Sequence, residues 1–72
     1  MTTLMWEVKA ADGRIDELVA HVLDTADPAA DVYRSADGRV VVIDSTGRGL
    51  PDVPAELVAR PPHMWGFQPV PR

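Results

Sequence analysis

Four consecutive branched aliphatic residues, Val40-Val41-Val42-Ile43, constrain this chain more than any other stretch of it. They follow Asp37-Gly38, a pair that supplies the positive φ of a tight hairpin, and a second extended run lies on the other side of that turn. Branching at Cβ favours a strand, and successive strand residues point to opposite faces, so two of the four project to each side of the sheet. A strand with no polar alternation is expected to be buried on both faces, which makes it central. In a chain of 72 residues one core is all that can be built, and a domain of this size buries only roughly 60% of its unfolded surface. Cover for the second face therefore has to come from outside that core.

The usual supplements for so small a domain are disulfides, a structural metal or a partner subunit. Cysteine is absent, and the two histidines, His21 and His63, lack the short spacing of one metal loop. No metal and no other cofactor is expected, and self-association is the supplement that remains. Eleven carboxylates face seven lysines and arginines, with no block of like charge, so nucleic acid is not an expected partner. No apolar run approaches the roughly 18 to 20 residues of a membrane span, and the first residues, Met1 to Glu7, have neither the basic start nor the apolar stretch of a signal peptide. The expectation is a cytoplasmic protein without a membrane partner.

Along the chain, Leu4, Trp6, Val8 and Ala10 alternate with Met5, Glu7 and Lys9, the pattern of a half-buried strand. Asp12-Gly13 breaks it, and Ile15, Leu18, Val19, Val22, Leu23 and Ala26 then recur at the offsets of one helical face. Asp12 is the expected cap, Asp16 and Glu17 oppose the positive end of the helix dipole, and Pro28 stops the helix. Asp31 to Ser35 and Arg39 to Ser45 read as a hairpin closed by Ala36-Asp37-Gly38. Ser45 to Asp52 is rich in turn formers and reads as an exposed loop. Asp52 to Ala59 reads as a brief second helix with Pro54 in its first turn, ended by Pro61-Pro62. Met64 to Val70 reads as a strand carrying Trp65 and Phe67 on one face. Pro69 and Pro71 place it at a sheet edge, because proline cannot donate to a ladder.

The order β-α-β-β-α-β predicts a single α+β domain over residues 1–72, folded as a ferredoxin-like, four-stranded antiparallel sheet with two helices on one face. Strands one and three are then central. The rival is a looser α+β fold in which the second helix is only a turn.

Four residues are candidates for a binding site: Trp6, Arg34, His63 and Trp65. The two tryptophans fall on strands that neighbour each other in this order, where they would form an aromatic wall for a flat ligand or simply fill a small core. His63 precedes Trp65 and has the chemistry of a general acid or base. His21, flanked at helical spacing by Glu17 and Asp24, reads as a surface residue. Gly47-Arg48-Gly49 lacks the further glycines, the Lys-Ser/Thr pair and the immediately following helix of a phosphate cradle, and reads as a flexible turn. No Gly-x-Ser-x-Gly, His-Glu-x-x-His or cysteine nucleophile is present.

The stretch from Glu7 to Leu18, with Val32-Tyr33-Arg34-Ser35-Ala36-Asp37-Gly38-Arg39-Val40-Val41-Val42 after it, resembles the first half of the dimeric α+β barrel superfamily that includes antibiotic-biosynthesis monooxygenases. The resemblance covers about three fifths of the chain and none of its motifs is specific to a reaction. It implies pairing through the open faces of two sheets; some members oxidise aromatic or polyketide substrates without a metal. The family's catalytic positions match no residue here. Two function classes follow. One is a small homodimeric binding or accessory module without catalytic activity, with room for a small-molecule ligand. The other is a cofactor-free, monooxygenase-like enzyme acting on an aromatic or polyketide-type small molecule, its pocket lined by the four candidate residues. The homodimer is expected to form through the sheet face away from the helices, where Met5 joins two residues of Val40 to Ile43 and Glu7 and Lys9 supply a polar rim. The alternative cover is the chain's own Gly47 to Pro51 loop or its C-terminal tail.

Overall fold

The alternating segment forms strand β1 (Thr3–Lys9) in a computed structural model that describes residues 2–72. Gly13, at φ +73°, turns the chain, and helix α1 (Ile15–Thr25) follows. Its N-cap is Arg14 and not Asp12, and no side chain bonds the orphan amides of the first turn. Arg14 instead makes a two-pronged bond to Glu17, at 2.8 and 2.9 Å. Leu18 and Val22 are fully buried, and Ile15, Val19 and Ala26 pack around them. Leu23 departs from the expected stripe and is 63% exposed; at about 100° per residue it lies at the margin of the apolar arc. The chain turns extended at Ala26, two residues before Pro28.

Strands β2 (Asp31–Arg34) and β3 (Arg39–Asp44) form the hairpin. Gly38 alone takes the positive φ, +88°, while the Ser35 amide donates to the Arg39 carbonyl at 2.9 Å and the Ser35 hydroxyl accepts from the Arg39 amide at 3.0 Å. After a loop comes a single 3-10 turn, η1 (Ala55–Leu57), and then β4 (His63–Phe67).

The sheet is antiparallel, in the order β2-β3-β1-β4, so the first and third strands are central and the proline-flanked last strand is an edge, as expected. Among the described residues the architecture is α+β with one α-helix. The expected second helix over 52–59 is corrected to that one turn. Only six residues separate Pro54 from Pro61, too few to repay helix nucleation. Val58 offers a better bargain in extended form, at φ −121° and ψ 145°. It bridges Ala10, while the Ala11 amide donates to the Leu57 carbonyl at 2.9 Å and the Ala59 amide to the Lys9 carbonyl at 2.8 Å. The looser of the two folds considered from the sequence is the one that forms.

The core lies between the sheet and the helical layer: Trp6, Val8 and Ala10 from β1 and the residue after it, Val40 and Val42 from β3, Leu18 and Val22 from α1, and Leu57 from η1. Val41 and Ile43 point the other way and are only half-buried, so full burial of β3 on both faces is not met within one chain. No helix among the described residues is long and apolar enough to cross a membrane.

Candidate functional site

Strand alternation sends Thr3, Met5, Glu7 and Lys9 to the sheet face opposite the core, and the strand register arranges that open face in rows. Trp65, Met5, Ile43 and Asp31 lie side by side across the four strands; His63, Glu7, Val41 and Tyr33 form the next row; Lys9 and Arg39 follow. Tyr33, Trp65 and Phe67 are exposed, while Met5, Val41 and Ile43 are half-buried. The His63 and Trp65 rings stack, with centroids 5.7 Å apart and planes inclined by 14°.

Glu7 is the anomaly of this face. It is only 9% exposed, and its Oε1 is buried with no hydrogen-bond partner. The nearest cation, Arg60 Nη2, stands 3.8 Å away, within ion-pair reach but too far for a hydrogen bond.

Of the four sequence-predicted site residues only His63 and Trp65 meet. Trp6, 5% exposed, lies on the core face; His63 and Trp65 lie on the open face. Arg34 sits on β2, at the opposite edge of the sheet from β4, where it pairs with Asp16 at 3.2 Å. The two tryptophans are on adjacent strands, as expected, but back to back. His21, read as a surface residue, is half-buried, and its Nε2 is buried without a partner.

A second feature opens on the helical side of the sheet. A cleft of about 640 Å³ is lined by Trp6, Leu50, Val53, Val58, Pro61 and Met64, among others. Sequence reasoning named only Trp6 of these. The signal for the rest was the spacing of Pro51, Pro54 and Pro61-Pro62, which breaks the second crossover into pieces too short to roof the sheet.

Asp44 was also missed; it lies outside the lining of that cleft and holds the loop that leads into it at Leu50. It is 1% exposed, yet its carboxylate is satisfied: Oδ1 accepts from the Thr46 amide at 2.8 Å and hydroxyl at 2.5 Å, and Oδ2 from the Gly49 amide at 2.8 Å. These bonds, that from the Thr46 hydroxyl foremost, hold the Asp44 carboxyl below the usual carboxylate range against the opposing effect of burial. The loop expected to be merely exposed is thus pinned at its root. At Gly49 it packs toward Leu4 and Met64, on the core side of the sheet.

No protein-family model, curated protein or solved structure matches this chain.

Proposed function

We propose that this chain is a small, non-enzymatic binding or accessory module that works as a homodimer in the cytoplasm, joined through the open sheet face. The observation that carries the reading is that face itself. Met5, Val41, Ile43, Tyr33, Trp65 and Phe67 share it, and soluble monomers rarely leave so continuous an apolar patch to water. The occupant we infer is a second copy. The chain carries a net charge of −4, which opposes association, yet this face balances two acids, Glu7 and Asp31, with two bases, Lys9 and Arg39. A two-fold axis brings the same patch onto itself, so a face that is largely apolar and carries both signs of charge in equal number, with Glu7 set among its apolar rows, is self-complementary.

The strand order and antiparallel sense support a ferredoxin-like arrangement whose second helix has contracted to a turn. The resemblance to the dimeric α+β barrel superfamily supports the same mode of pairing. The enzyme alternative places Trp6, Arg34, His63 and Trp65 around one pocket, and their positions on two faces and two edges of the sheet favour the binding module over it.

Light scattering coupled to size exclusion tests the reading. The expected mass is twice the 7.8 kDa of one chain; a single-chain mass that persists on concentration overturns it.

A further inference from the structure

We propose that the cleft over Trp6 is a binding site for a small, flat, uncharged apolar molecule. This rests on reading the chain as a binding module but not on its self-association, which uses the other face of the sheet.

The cleft exists because the helical layer is half complete. Helix α1 packs on β2, β3 and η1, leaving β1 and β4 to be covered by residues 45–62, which supply one three-residue turn. The consequence is visible at Met64. It is the cross-strand neighbour of the buried Trp6, on the same face, and is nevertheless 55% exposed. Leu50, Val53 and Val58 are likewise only half-buried around the opening. At about 640 Å³ the space falls within the range of small-molecule sites.

Two of its walls are tied down by hydrogen bonds. Asp44 anchors the loop leading to Leu50, and the backbone bonds from Ala11 to Leu57 and from Ala59 to Lys9 fix the segment bearing Val58. A site already in shape does not spend binding energy on ordering itself.

The lining specifies the ligand. An indole, a thioether and proline rings make a surface that suits a flat apolar body, and methionine adapts to its outline. The charged lining residues, Asp52 and Arg60, are of opposite sign, and Arg60 directs its guanidinium to Glu7. Neither sign of ligand charge is favoured, so the ligand is uncharged.

The test uses a Trp65→Phe variant, in which Trp6 is the sole indole, and the neutral probe N-phenyl-1-naphthylamine. Excitation of Trp6 should give saturable one-to-one energy transfer to the probe. Ala59→Phe, at an exposed position of the lining, should weaken binding about tenfold or more, as overfilling a pocket does. Tyr33→Ser, on the open face, should leave the affinity unchanged. The assignment is overturned by any of four results: absence of saturable transfer, indifference to Ala59→Phe, tighter binding of the sulfonated analogue 1-anilinonaphthalene-8-sulfonate, or binding that weakens as the protein is concentrated, which would give the cleft to a second copy. A monomer that binds the probe upholds the cleft and overturns only the pairing.

Discussion

Trp6 and Trp65 sit one register step apart on paired strands and face opposite sides of the sheet: Trp6 is opposite Met64, and Trp65 is opposite Met5. That single step puts one indole in the core, 5% exposed, and leaves the other 45% exposed. The emission of the protein should therefore resolve into two environments. With Trp65→Phe the remaining indole should emit to the blue and resist acrylamide; with Trp6→Phe the remaining one should emit to the red and be quenched readily at low protein concentration. Equal quenching of the two variants would contradict the register.

The helix offers an internal comparison. Leu18 is fully buried and Leu23 is 63% exposed, although both fall on the apolar arc of the sequence. Leu18→Ala should cost about 2 to 5 kcal/mol, through lost transfer energy and the cavity left behind. Leu23→Ala should change stability by less than about 0.5 kcal/mol in the single chain. Denaturant melts of both variants check this, and similar midpoints would show that the buried face is misplaced.

Asp44 predicts a response to acid. Its carboxyl titrates below the unfolded value because Thr46 and Gly49 donate to the charged form. A group whose pKa is lower folded than unfolded adds stability above the unfolded value, about 4, and loses it as pH falls through the folded value. Asp44→Asn should therefore cost about 1 to 3 kcal/mol at neutral pH, the scale of lost charge-assisted bonds. The gap between the two proteins should narrow below about pH 4. Thermal melts across that range read it directly, and a gap constant with pH would show that the charge of Asp44 does not hold the loop.

Much of this fold is legible in the sequence because it rests on local patterns. The alternation at Leu4 to Ala10, the helical stripe from Ile15, the Asp37-Gly38 turn and the edge prolines each have one structural solution, and together they imply the strand order. The second helix was not legible in the same way. Propensity favours a helix at Ala55 to Leu57, but Val58 gains more by pairing with Ala10, a contact invisible to any window on the sequence. The candidate site suffers from the same limit. The sequence places Trp6 and Trp65 on neighbouring strands, but whether two side chains on such strands meet depends on the parity of a register that nothing local determines. Asp44 and Glu7 are buried acids, one satisfied and one not, and their difference lies in loop amides that only the folded chain brings close.

The central claim is that the open face is an interface between two copies, and β3 carries the most direct measurement of it. Val41 and Val42 are adjacent in sequence, but Val41 projects into the open face and Val42 is fully buried in the core. Val41→Glu puts a charge into the proposed seam, where an unpaired charge is costly, and leaves the core intact. Val42→Glu puts the same charge into the core of a domain too small to tolerate it. Circular dichroism and light scattering on the two variants should give folded single chains for Val41→Glu and an unfolded chain for Val42→Glu, against a wild-type mass of twice 7.8 kDa. A Val41→Glu protein that keeps the two-chain mass, or a wild type that is a single chain at every concentration, would contradict the account.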